Sequence, residues 1–148
     1  MSDAQQLLSD SALTSFRLNG QFLAVAEALA EPAGLTATRW QVLGAVLTEP
    51  MSVSDIARVM GITRQSVQRT ADVLAEAGLI AYRDNPAHRR AKLVEATAAG
   101  RDAVRLINPG HAELAHRLRD VLGEQRWSAA LAGLQDLSAA LTEVQQHL

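Results

Sequence analysis

The most informative part of the sequence runs from position 53 to 69 and reads Val53-Ser54-Asp55-Ile56-Ala57-Arg58-Val59-Met60-Gly61-Ile62-Thr63-Arg64-Gln65-Ser66-Val67-Gln68-Arg69. Two short helices that cross steeply need a small residue at the crossing point, and Ala57 is small. The turn needs a residue that tolerates positive φ, which Gly61 does. Val67 is apolar and can pack the second helix on the first. These offsets are typical of a helix-turn-helix, although an ordinary helical hairpin shares them.

Capping residues predict where both helices begin and end. Ser52 with Asp55 fits a capping box, so the first helix is predicted over about 52–60. Thr63 can cap a second helix over about 64–77, which ends at Gly78. The inward positions of this second helix are apolar, so its polar side remains a free face.

That free face carries side chains suited to DNA. Arginine pairs with guanine edges and glutamine with adenine edges in the major groove. Hydroxyl groups and a helix N-terminus suit phosphate. We therefore predict DNA contacts from Thr63, Arg64, Gln65, Ser66, Gln68 and Arg69.

A β-hairpin is predicted next, from two short apolar-rich stretches at 79–83 and 91–96 joined by a polar turn at 84–90. Arg89 and Arg90 lie at or just after its tip. An arginine on a protruding hairpin can enter the narrow, negative minor groove. The alternatives are a solvated loop or salt bridges to Asp84.

Charge is concentrated in this same region. Residues 58–92 contain seven Lys or Arg and three acids, which gives this segment a net charge of +4. Because the whole chain has a net charge of −2, the other residues together have a net charge of −6. A basic island in an acidic body is what local phosphate binding needs. A merely solvated charged face is equally compatible with the charge alone.

Four further helices are predicted, over 9–30, 36–47, 98–122 and 124–146, and Pro109 is expected to kink or break the third. The terminal helices carry more apolar surface than a small central unit can cover, which favours a homodimer, although packing within one chain accounts for part of it. We predict a dimerisation region over 1–35 and 98–148 and a DNA-binding region over 36–97. The interface candidates are Leu7, Leu8, Leu13, Phe16, Leu131, Leu134, Leu137, Leu141, Val144 and Leu148.

Other function classes find little support in the sequence. The chain has no cysteine, which excludes disulfides and thiol chemistry. Its histidines lack the spacing of metal ligands on one helical face. No catalytic constellation stands out, so we expect neither an enzyme nor a cofactor. No secretion signal or apolar run of about 18 residues is visible, so we expect a cytoplasmic protein.

The sequence resembles the MarR family of winged-helix regulators along nearly its whole length. The resemblance is carried by Gly34-Leu35-Thr36 before a helix with Trp40 and Leu43, by Ser54-Asp55-Ile56-Ala57, by Ile62-Thr63-Arg64-Gln65-Ser66-Val67, by Gly78-Leu79-Ile80, by Asn85-Pro86-Ala87-His88-Arg89-Arg90-Ala91 and by Thr97 with Gly100. It implies a mainly α fold with a small β-wing, built as a winged helix-turn-helix plus N- and C-terminal dimerisation helices. It also implies a homodimer on a pseudo-palindromic DNA operator, with half-sites roughly 34–36 Å apart.

The family pattern leaves two points to test. His88 stands where the family commonly has an acid that braces the wing arginine, and Ala96 replaces a common leucine. Relatives often release DNA when a small aromatic or phenolic acid binds, which implies a repressor. The ligand-binding candidates are Arg17, Asn19, Arg39 and Trp40, and a purely structural role is the alternative for each of them. The alternatives are a winged-helix protein–protein adaptor and a ligand-binding protein without DNA binding.

Overall fold

The computed structural model describes all 148 residues, as six helices and a small sheet. In chain order these are α1 (Asp3–Ala30), a 3-10 turn (Glu31–Ala33), α2 (Ala37–Ala45), β1 (Met51–Ser52), α3 (Val53–Met60), α4 (Arg64–Glu76), β2 (Ile80–Arg83), β3 (Leu93–Ala96), α5 (Ala98–Leu122) and α6 (Glu124–Gln145). The predicted mainly α fold with a small β-wing is confirmed. The chain divides into two compact units, Met1–Asn108 and Pro109–Leu148.

The first unit contains the hydrophobic core. Aliphatic side chains from most of its elements meet there, and the largest fully buried ones are Leu43, Ile56, Leu74, Ile107, Val42, Val46, Val67 and Val94. Ala57 and Val67 are both buried, as the helix-turn-helix pattern requires. Burying such a side chain stabilises the fold by roughly 1.5–3 kcal/mol, so this cluster holds α2, α3, α4 and the sheet together.

Local capping decides where the helices begin. Thr36 accepts a hydrogen bond from the backbone of Arg39, and Ser52 accepts one from Asp55, so both predicted N-caps are confirmed. The carboxylate of Asp55 pairs instead with Arg58 at 3.0 Å, so the predicted capping box has only its Ser52 half. Helix α1 begins at Asp3, six residues before the predicted start, because Ser2 and Gln5 form a reciprocal capping box.

Helix α5 runs from Ala98 to Leu122, so the predicted span is confirmed, and Pro109 does not break the helix. A proline removes one backbone donor and leaves a carbonyl one turn earlier without its partner. Asn108 and Pro109 are exposed, as is Arg105, the residue whose carbonyl is released. Water can therefore satisfy that carbonyl, and the helix continues.

The sheet has three strands, one more than the predicted hairpin. Strands β2 and β3 pair antiparallel from Ile80 opposite Ala96 to Arg83 opposite Leu93. The additional strand β1 pairs with the other edge of β3, with Met51 opposite Val94. The order is β1-β3-β2, so the start of α3 is tied directly to the hairpin.

The second unit has no buried residue. Helix α6 has an apolar series at steps of three and four, whose side chains are 40% to 57% exposed: Leu131, Leu134, Leu137, Leu141 and Val144.

None of the helices combines the length and the apolar composition that a membrane-spanning segment requires.

Candidate nucleic-acid interface

Helix α4 is placed by its preceding turn and by its buried side. Gly61 adopts a left-handed conformation with φ 69°, and the backbone of Ile62 donates back to Ala57 at 3.1 Å. The hydroxyl of Thr63 then accepts a hydrogen bond from Ser66 and begins the helix. Val67, Ala71 and Leu74 are buried, so the opposite face of α4 points outward.

The predicted DNA-contacting residues are on that outward side. Ser66 is half-buried, and the exposed ones are Thr63, Arg64, Gln65, Gln68 and Arg69, together with Arg89 and Arg90 of the hairpin. The helix N-terminus thus presents amide, hydroxyl and guanidinium groups to solvent. This combination can bind bases and phosphates.

A cleft of about 320 Å³ separates α4 from the hairpin. It brings Arg64 of α4 together with Arg90 of the hairpin, whereas Arg89 is not in its lining. Lys92 also lines the cleft. This residue was counted among the basic charges of 58–92 but was not predicted as a DNA contact. Its complete lining is Ser52, Val53, Ser54, Arg64, Gln68, Tyr82, Arg90, Ala91 and Lys92. Three cations and two serine hydroxyls suit a phosphate group.

A second cleft, of about 310 Å³, lies between α4 and the start of α2. Arg39 contributes a guanidinium from α2 and Arg69 contributes one from α4. The remaining lining is mostly hydroxyl-bearing: Thr36, Thr38, Ser66, Thr70 and Val73. Arg39, predicted as a ligand-binding residue, therefore lies beside the candidate DNA-reading helix.

Three side chains on the hairpin side of α4 are hydrogen-bonded to one another. Gln68 Nε2 donates to Asp72 Oδ1 at 2.9 Å and to Tyr82 Oη at 3.0 Å, and Tyr82 donates to Asp72 Oδ1 at 2.5 Å. Burial raises the pKa of Tyr82 well above its ordinary value, and the hydrogen bond to Asp72 raises it further. Tyr82 therefore remains a neutral donor, and this triad links strand β2 to α4. This triad was missed in the sequence analysis because Asp72 and Tyr82 are ten residues apart and belong to different elements.

The hairpin tip has its own local order. The backbone of His88 donates to the carbonyl of Asn85 at 3.1 Å, and Ala87 donates to the Asn85 side chain. The ion pair in this hairpin joins Arg83 to Glu95 at 3.1 Å. Arg89 and Arg90 take part in none of the ion pairs, so the alternative of salt bridges to Asp84 is wrong.

A third, larger pocket lies between α1 and α2, with a volume of about 500 Å³. Two of the predicted ligand-binding residues, Asn19 and Trp40, are in its lining with Phe22, Leu23, Ala26, Gln41 and Gly44. Arg17 is exposed on α1 outside this lining, and Arg39 lies in the α2–α4 cleft. The structure thus brings together only half of the predicted set.

Comparison with known proteins agrees with this geometry. The sequence model of the MarR family matches residues 33–91. The uncharacterised protein Rv2011c of Mycobacterium tuberculosis is 34% identical over 126 residues, covering 85% of this chain and 88% of that protein. The MarR family regulator Sco5413 of Streptomyces coelicolor superposes with a TM-score of 0.74 at 25% identity, covering 91% of this chain and 96% of the other.

A MarR mutant from E. coli, solved in complex with operator DNA, has a TM-score of 0.77 at 16% identity. That alignment covers 93% of this chain and 99% of the other, and it shows a shared fold. The helix-turn-helix, the wing and the sequence match lead to one conclusion: this chain belongs to the MarR family of transcriptional regulators.

Proposed function

We propose that this protein is a homodimeric, sequence-specific double-stranded-DNA-binding regulator that acts as a repressor and is released by a small aromatic or phenolic acid. The observation that carries the proposal is the outward face of α4, polar along its N-terminal half and bordered by a cationic cleft on each side. The E. coli relative solved with operator DNA supports the same role.

The two clefts lie on either side of α4, where the phosphates of the two strands would lie if α4 entered a major groove. The groove is about 12 Å wide, admits one helix and is walled by the phosphates of both strands. With α4 inserted, the cleft of Arg64, Arg90 and Lys92 faces one wall, and the cleft of Arg39 and Arg69 faces the other. Arg89 is exposed on the hairpin outside this cleft, and it extends to the adjacent minor groove.

The proposed homodimer is supported by apolar side chains that are exposed to solvent in a single copy. Helix α1 exposes Leu7, Leu8, Leu13 and Phe16, the last at 71%, and α6 exposes its apolar series throughout. A 40-residue segment without a buried residue cannot supply its own core. A second copy can cover these faces, and its two-fold axis explains a pseudo-palindromic operator.

The effector site is assigned to the α1–α2 pocket. Its volume is within the range of small-molecule sites, and its lining is mainly apolar with a few polar groups. Trp40 and Phe22 offer aromatic contacts, and Asn19 and Gln41 offer hydrogen bonds. Release requires the ligand to bind the DNA-free conformation more tightly than the DNA-bound one.

Base reading by α4 is tested with Gln65→Ala and Arg64→Ala. Each variant is expected to lose about 1–3 kcal/mol of preference for the operator over unrelated duplex, since a good base contact is worth that much. Competition binding with fluorescently labelled operator measures the ratio of the two affinities. An unchanged ratio in both variants would show that neither Arg64 nor Gln65 reads a base.

Phosphate binding by the α2–α4 cleft is tested with Arg39→Ala. The variant is expected to weaken binding to every duplex alike and to reduce the slope of log affinity against log salt by about 1 per lost contact. Arg126→Ala, which removes the same charge from α6, is the matched control. Equal slopes for Arg39→Ala and wild type would place Arg39 outside the interface.

A further inference from the structure

The triad of Gln68, Asp72 and Tyr82 restrains one exposed side chain of α4. All three pairs are within hydrogen-bonding distance, so the three polar atoms form a closed triangle. Gln68 and Asp72 are one helical turn apart on α4, whereas Tyr82 comes from β2. An exposed glutamine is ordinarily free to rotate, and this one is restrained from two elements.

The triangle has a consequence for the two N–H bonds of Gln68. The acceptor oxygens of Asp72 and Tyr82 are only 2.5 Å apart, while each is about 3 Å from Nε2. Seen from the nitrogen, the directions to the two oxygens therefore differ by only about 50°, much less than the angle between the two N–H bonds. Two N–H bonds of one amide diverge widely, so a single N–H shared between the two oxygens fits this geometry. The other N–H and the amide oxygen are not used.

The triad also decides which end of the amide faces outward. Asp72 accepts two hydrogen bonds through Oδ1, and a carboxylate cannot donate. Turning the amide over would place the Gln68 oxygen against Asp72 Oδ1 and leave that pair without a proton between them. Tyr82 donates its only proton to Asp72, so it cannot compensate.

We infer that Gln68 recognises an adenine in the operator and that Asp72 and Tyr82 are positioning residues that hold its amide for this contact. Adenine presents N7 as an acceptor and N6 as a donor in the major groove, which matches the unused N–H and amide oxygen of Gln68. Restraining the amide before binding reduces the conformational entropy lost in the complex. This inference rests on the proposed DNA-binding function.

A purely structural role for the triad gives a different outcome. If the hydrogen bonds served only to attach β2 to α4, removing the Tyr82 hydroxyl would affect all sequences equally. Positioning of Gln68 instead predicts an effect limited to one base pair in each half-site. It also predicts that this effect requires Gln68 to be present.

The experiment is selection from an operator library randomised within the half-sites, using full-length wild type, Gln68→Ala, Tyr82→Phe and the double variant. Gln68→Ala is expected to lose about tenfold preference for adenine at one position, and Tyr82→Phe to lose part of it. In the Gln68→Ala background, Tyr82→Phe is expected to change nothing further. Asp72→Asn should act like Tyr82→Phe, with Glu76→Gln as the charge-matched control on α4.

Two results would overturn the inference, and they differ from failure of the proposed function. An unchanged adenine preference in Gln68→Ala shows that this residue does not read a base. An equal effect of Tyr82→Phe with and without Gln68 shows that Tyr82 acts only through the fold. If wild type selects no sequence at all, the proposed function itself is wrong.

Discussion

Gly100→Ala is expected to destabilise the protein by about 3 kcal/mol, the upper part of the range for overpacked sites. A Cβ at position 100 would lie 2.1 Å from the backbone oxygen of Leu79 and 3.1 Å from a methyl carbon of Leu43. The Leu79 oxygen already accepts a hydrogen bond from the backbone of Thr97 at 3.1 Å. The new methyl group therefore has to displace backbone, because no flexible side chain end can yield in its place.

Urea unfolding at a fixed protein concentration measures this loss. Gly20→Ala is the control, because a Cβ there meets nothing within 4 Å; this change is expected to stabilise α1 by roughly 0.5–1 kcal/mol. The opposite signs separate steric overlap from the general effect of replacing a helical glycine. A Gly100→Ala variant as stable as wild type would mean that α5 can shift at no cost.

Leu137→Glu is expected to convert the proposed dimer into monomer or unfolded chain. Leu137 is in the middle of the apolar series of α6 and is 44% exposed in one copy. If a second copy covers this series, the substitution places two unpaired carboxylates in an apolar interface, at a cost of several kcal/mol. Light scattering reports the mass, and circular dichroism over a range of concentrations reports helix content.

Gln135→Glu places the same charge on the same helix outside the apolar series, and it should leave the mass of the dimer unchanged. A normal dimer for Leu137→Glu would show that the α6 series is not the subunit interface. Loss of the dimer in both variants would instead indicate that α6 tolerates no added charge.

Local chemistry explains why most of the fold was predictable. The side chains of Thr36, Ser52 and Thr63 each accept a hydrogen bond from a backbone N–H three residues later. The turn at Gly61 depends only on the positive φ of that residue. Strand β1 was missed because its partner Val94 is 43 positions away from Met51 and the strand is two residues long. The start of α1 was missed because Ser2 and Gln5 precede the apolar pattern that marks the helix.

The helix-turn-helix and the hairpin were predictable because their caps and turns depend on contacts between near neighbours in the chain, and the family was recognisable from the motifs at the same positions. Three pairings could be read only from the folded chain: Arg39 shares a cleft with Arg69, Lys92 shares one with Arg64, and Tyr82 is hydrogen-bonded to Gln68 and Asp72. Each of these pairings joins a residue of α4 to a residue of another part of the chain. They arise only when the buried cluster brings α2, α4 and the sheet together.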